Sequence, residues 1–378
     1  MPGRKGNSVK NIEEIKMKKL LAFVGLLLAL GMGSAFAKKA SDENKVKVVT
    51  TIFPEYDWVK EIVGEKADDV ELTLLLNNGV DLHSYQPSVK DIAKIQEADI
   101  FVYVGGESDE WVEDVLKNVK SPNQKVINLL EVLGDRVKAE EIVEGMEHEH
   151  HHGHDHDDHD GDHHNEHDHD EHHHDEHGHN EHEHHHVDDH NEHHHDHEDG
   201  EKDEHVWLSL KNAQILTSAI CDALCQADSK NAATYKKNLA SYNAKLSDLD
   251  SKYDAAVKAA SKNTLVFGDR FPFRYLVDDY GLKYFAAFSG CSAESEANFK
   301  TIVFLSEKVN ELGLNSVCQI ESGNGKIAKT VISNSKNKKA KVLTLDSLQS
   351  TTAKQIKKGE TYLGAMEKNL EVLKEALK

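Results

Sequence analysis

The chain has 378 residues and a formal net charge of −22, but that charge is one local block: residues 145–204 hold 24 acids and one lysine, and the remainder sums to +1. No basic patch is left to suggest nucleic-acid binding, and 378 residues leave room for two domains of ordinary size.

The N-terminus reads as an export segment. Lys18 and Lys19 precede an uncharged, mostly aliphatic run from Leu20 to Met32, and Ala35-Phe36-Ala37 fits the small-x-small cleavage rule. The run is shorter than the roughly 20 residues a membrane span requires. No cysteine follows it, which argues against lipid attachment there. The expectation is cleavage after Ala37 and release into a periplasm, with residues 1–37 standing outside the fold.

Apolar runs then alternate with amphipathic stretches. "KVKVVTTIF", "DVELTLLL", "DIFVYVG" and "KVINL" read as strands, and "EYDWVKEIVG", "PSVKDIAKIQEA" and "DEWVEDVLKNV" as the helices between them. Strand–helix alternation with short connections predicts a parallel sheet wrapped by helices. The alternation stops at the acidic block. Between His148 and Glu204 the only aliphatic residue is Val187, so the segment cannot bury enough apolar surface to offset the entropy of ordering it. This predicts a disordered, solvated insertion over 145–204 in an N-terminal lobe that spans 45–228.

"SLKNAQILTSAICDAL" reads as a helix. Ser229 to Lys262 then contains no Gly or Pro, and Tyr235, Leu239, Tyr242, Leu246, Leu249, Tyr253 and Val257 recur at steps of three and four. A helix of about 33 residues would be about 50 Å long. That suits a rigid strut between two lobes, with Asp228 or Ser229 as its cap. From 263 to the C-terminus the alternation resumes, with strands at "TLVFG", "LKYFAAF", "NSVCQIE" and "AKVLTLD", ending in the helix "KKGETYLGAMEKNLEVLKEAL". The predicted architecture is two α/β lobes, each a parallel sheet wrapped by helices, joined by one long helix. Ligands of such sheets bind beyond the carboxyl ends of the strands, which places a site in the cleft between the lobes.

Twenty-five of the 27 histidines lie in the block, leaving His83 and His205 outside it, each at a loop beside a predicted element. Neutral imidazole suits zinc, and manganese or iron with oxygen partners. The four cysteines, Cys221, Cys225, Cys291 and Cys318, are compatible with buried thiols or, in an oxidising compartment, with disulfides. Outside the histidine-rich block no HExxH or comparable catalytic metal motif is present.

"GVDLHSYQPS", "DEHVWLSLKNA", the long helix and "TLDSLQS", in that order, resemble the ZnuA-like metal-binding proteins of zinc and manganese ABC transporters, a likeness covering about Lys45 to the C-terminus. The resemblance implies an exported monomer that captures a divalent metal and delivers it to a membrane permease and its ATPase, by binding and not by turnover. It places the family's first two histidines on His83 and His205 and its last-loop carboxylate on Asp346. The family's third ligand falls on Arg270, which has no lone pair to give. Asp269 beside it, or Glu321 at the end of "VCQIE", would fill the vacancy, and Glu321 is favoured because a carboxyl-terminal strand end faces the cleft. The expected ligand set is His83, His205, Glu321 and Asp346. Zinc is the expected ion, with manganese and nickel as alternatives. The block itself would concentrate ions near the cleft; a metal buffer built around it is the rival reading.

Overall fold

Two four-stranded parallel sheets carry the chain in the computed structural model, which describes residues 45–121, 123–146, 201–292 and 296–378. The predicted export segment and residues 147–200 of the histidine-rich block lie outside the described residues. The first sheet contains β1 (Val46–Thr50), β2 (Val70–Leu74), β3 (Ile100–Tyr103) and β4 (Lys125–Asn128), and the second β5 (Thr264–Arg270), β6 (Lys283–Phe288), β7 (Ser316–Ile320) and β8 (Lys341–Leu345). The orders are β2-β1-β3-β4 and β6-β5-β7-β8, so the second sheet repeats the topology of the first. Val48, Val49, Ile100, Phe101 and Val102 are buried, as expected for strands covered on both faces.

In the first half, helices α1 (Phe53–Val63), α2 (Val89–Glu97), α3 (Trp111–Leu116) and α4 (Leu129–Leu133) follow the strands. Helix α5 (Leu210–Ala227) then leads to α6 (Ala232–Ala259), the predicted strut. At 28 residues α6 is shorter than expected, because Ser229–Asn231 forms a 3-10 turn ahead of it. There the Asp228 carboxylate accepts hydrogen bonds from Asn231 Nδ2 and Tyr235 Oη, both at 2.7 Å. Tyr235, Tyr242, Leu246, Leu249 and Tyr253 are buried along the predicted face. The second half adds α7 (Arg274–Tyr280), α8 (Phe299–Glu311), α9 (Lys326–Asn334), α10 (Ala353–Lys357) and α11 (Tyr362–Ala376).

The lobes are not separate bodies. One apolar core runs from β1 and α1 through α5 and α6 to β5 and α11, while a smaller cluster lies under α8 and α9. Polar ties cross at the same level. Trp207 Nε1 donates to Ser347 O at 2.9 Å, Tyr362 Oη to Trp207 O at 2.6 Å, and Ala353 N to Asn77 O at 2.7 Å. A continuous core of this kind resists wide opening, since separating the sheets would expose apolar surface.

Folded structure also extends into both ends of the predicted insertion. Met146, Asp203 and Glu204 are buried. Asp203 N donates to Lys138 O at 2.9 Å and Glu140 N to Glu201 O at 2.6 Å, so 138–140 and 201–203 are clipped side by side. Composition alone hid this, because Asp203 and Glu204 read as more of the acidic run.

Candidate metal centre

His83 sits on a 3-10 turn, Leu82–Ser84, that follows β2; Asp81 caps the turn, its Oδ1 accepting from His83 N at 3.1 Å. His205 immediately precedes a second turn, Val206–Leu208, and is completely buried. The two rings meet with Nε2 atoms 3.2 Å apart. Two ligands on one tetrahedral zinc, with Zn–N bonds near 2.0–2.1 Å, stand roughly 3.3 Å apart. The spacing of the pair is therefore that of two nitrogens on a common ion.

The outer nitrogens are tied. His83 Nδ1 lies 2.7 Å from Ser108 Oγ and 3.4 Å from Glu204 Oε2, and His205 Nδ1 lies 2.9 Å from Asp203 Oδ1. Partners on Nδ1 fix ring orientation and leave Nε2 for a metal. Asp203 is itself fixed: its Oδ1 also accepts from His205 N at 2.9 Å, and its carbonyl accepts from Tyr275 Oη at 2.8 Å. Burial, then the neighbouring His205 ring, lowers the His83 imidazole to about 3, so it stays neutral with a lone pair to give. Glu204 Oε1 accepts from Ser108 N at 2.9 Å, while its Oε2 is buried without a hydrogen-bond partner. An orphaned buried carboxylate oxygen beside two imidazoles is an environment that welcomes positive charge. With its amide nitrogen turned to the Asp81 carboxylate (2.7 and 3.0 Å), Gln349 also brings its oxygen to 2.7 Å from His205 Nε2. There the oxygen accepts from His205 Nε2, so both His83 Nε2 and an amide oxygen meet that nitrogen.

A third donor type is present. One nitrogen from each histidine and the Cys291 sulfur all lie within 4.8 Å of one another. Sequence reasoning weighed Cys291 only as a thiol or half of a disulfide. Its position three residues past β6, at the carboxyl end of a parallel strand, is the feature that could have marked it.

The other expected ligands are placed differently. Glu321 accepts from Ser347 N at 2.7 Å, Ser347 Oγ at 2.8 Å and Ser350 Oγ at 2.8 Å. Asp346 Oδ1 accepts from Leu348 N at 2.8 Å, and burial, then Glu321, pushes the Asp346 carboxyl up to about 6. Neither joins the three donors grouped above. Arg270 pairs with Asp81 across the cleft, not with Asp269; Asp269 accepts instead from Arg270 N at 3.0 Å and Ile320 N at 3.3 Å. The guanidinium thus braces the turn that carries His83.

The family model described as "ZnuA: Zinc-uptake complex component A periplasmic" matches residues 48–376. The chain belongs to this family. Among relatives, the ZnuA-family chain is 33% identical over 359 residues to the zinc-binding protein AdcA of Streptococcus pyogenes serotype M3, covering 92% of this chain and 61% of that protein. It thus spans about 61% of the length of the streptococcal relatives it matches. It is 30% identical over 353 residues to the high-affinity zinc uptake system protein ZnuA of Bacillus subtilis, covering 93% of this chain and 94% of that one. Among solved structures it is similar to the Zn(II)-bound ZnuA-like domain of AdcA from Streptococcus pneumoniae, with a TM-score of 0.60, 27% identity, and coverage of 88% of this chain and 99% of that one.

Proposed function

We propose that this chain is the exported capture component of a metal uptake system. It binds zinc at His83 and His205 and passes the ion to the membrane permease of an ABC transporter. The observation that carries the reading is the facing Nε2 pair at 3.2 Å with both Nδ1 atoms held. Two imidazole nitrogens approach this closely in a buried site when a proton or cation is shared between them. The relatives named as zinc-binding and zinc-uptake proteins support zinc as that cation.

Binding in this reading needs little rearrangement. Asp203 and Ser108 orient the rings, Glu204 and Asp203 supply negative charge behind them, and the shared core keeps the lobes together. The 25 imidazoles of the histidine-rich block would add many weak, exchanging sites upstream of His205. Protons compete for such sites, so their contribution falls in acid.

Zinc titration against a competing chelator tests the reading on the chain lacking residues 148–199. One tight equivalent is expected. His83→Ala or His205→Ala should weaken it by more than about 100-fold, since outer-shell partners alone are worth about 10- to 100-fold. An unchanged tight site in both variants would refute it. Loss of capacity without loss of the tight site on deleting 148–199 is the result expected of the block.

A further inference from the structure

With Arg270 at the family's third position, two imidazoles lack a third donor from β5, and the neighbouring strand offers one. Cys291 lies in Ser289-Gly290-Cys291-Ser292, just beyond β6. In sheet order β6 occupies the place that β2 holds in the first sheet, so Cys291 follows the counterpart of the strand that leads to His83. The loop is seated against the site. A Cβ on Gly290 would lie 3.1 Å from His205 Cε1 and 2.9 Å from Phe271 O, an approach that only glycine permits without a shift of backbone. Cys291 N donates to Glu140 Oε1 at 2.8 Å, which fastens the loop to the segment clipped beside Asp203. The thiol is free of any disulfide.

We propose that Cys291 is the third protein ligand of the ion held by His83 and His205, making a His2Cys centre in which a thiolate replaces the donor lost at Arg270. The proposal rests on the capture reading above and adds the identity of a ligand to it. In a tetrahedral site with bonds of about 2.0 to 2.3 Å, nitrogen and sulfur stand roughly 3.5 Å apart. The imidazole pair already has its spacing, and the sulfur lies within 4.8 Å of one ring nitrogen of each histidine, so a small shift of the Cys291 loop would complete the set. On binding, the S–H bond gives way to S–Zn and the thiol proton leaves to solvent. Thiolate is a soft donor that favours zinc over manganese, whose preference is for oxygen. Cys291 thereby selects against the manganese that the two histidines with oxygen partners would accept.

Cobalt(II) substitution of the full chain separates the possibilities, because sulfur coordination produces a thiolate-to-cobalt charge-transfer band in the near ultraviolet that the imidazoles and carboxylates of the histidine-rich block cannot produce. The wild-type chain should show the band at one equivalent. Cys291→Ser should abolish it and weaken zinc by more than about 100-fold, beyond the 10- to 100-fold range of outer-shell partners, whereas Cys225→Ser should leave both unchanged. Cys291→His guards against a folding defect: it should bind zinc tightly with the band absent. A tight site that depends on His83 and His205 but shows no charge-transfer band overturns the Cys291 assignment and leaves capture standing. A band that survives Cys291→Ser overturns it as well. Absence of any site dependent on the histidines removes both readings together.

Discussion

His83 and His205 have their outer nitrogens tied and their inner nitrogens facing each other, whereas Glu321 and Asp346 have their oxygens engaged by neighbouring N–H and O–H groups. His83, Glu321 and Asp346 lie in segments that follow carboxyl ends of parallel strands, whereas His205 leads into the helical turn before α5. The difference is in what a cation would have to displace. At the imidazoles it would displace a contact shared between two ring nitrogens, with the Gln349 oxygen beside them. At Glu321 it would compete with three hydrogen bonds that hold the loop after β8, where Leu348 sits at φ 63. A buried leucine in the left-handed region costs about 1 to 2 kcal/mol, and the bonds from Ser347 and Ser350 to Glu321 help to retain it. The next residue, Gln349, is the one whose side chain meets Asp81 and His205. In the capture reading proposed above, the carboxylate pair shapes a wall of the site through the loop that carries Gln349.

The largest effect that would break this comparison is on affinity. His205→Ala should weaken zinc by more than about 100-fold, as set out above. Asp203→Asn should cost about 10- to 100-fold, because an amide oxygen still accepts from Nδ1 but no longer supplies charge to the ring. Its fold should be intact by circular dichroism. A wild-type affinity in this variant would mean that the Asp203–His205 contact does not orient the ligand. Glu321→Gln should move affinity by less than about threefold while lowering the urea-unfolding free energy by about 1 to 3 kcal/mol, the range for disturbing buried hydrogen bonds to a charged group. If instead it weakened zinc as much as His205→Ala, the carboxylate would be a ligand and the contrast would fail.

Much of the scaffold was legible because it is written in local periodicity. The tyrosines and leucines of α6 recur at helical steps, and the buried strands are continuous apolar runs. His83 and His205 emerged by elimination, being the only histidines outside the block. What was not legible lies in contacts between strand ends far apart in the chain. Nothing around Arg270 announces Asp81 as its partner 189 residues away. Cys291 has no spacing relation to His83, and Gln349 is one polar residue in a polar loop. Asp203 and Glu204 were concealed by their neighbours: in an acidic run they look solvated, yet one orients His205 and the other leaves a buried oxygen beside His83.

The smallest effect concerns the pH dependence of the metal-free protein, where Asp346 and His83 should pull in opposite directions. Burial, then Glu321, raises the Asp346 carboxyl from 3.8 to about 6. The folded state therefore holds that proton more tightly than the unfolded chain, and the stability linked to it is complete below 3.8 and lost as pH rises through about 6. Burial, then His205, lowers His83 from 6.5 to about 3. Its folded state resists protonation, so the linked stability is complete above 6.5 and lost as pH falls toward 3. Denaturant unfolding in the presence of a chelator, from pH 4 to 7, resolves the two. The stability of wild type relative to Asp346→Asn should decline as pH rises, and relative to His83→Gln should increase, each by at most about 1.4 kcal/mol per pH unit. Slopes of the same sign would show that the two clusters do not differ in how they hold charge, and the case for the imidazoles as the cation's seat would lose its electrostatic half.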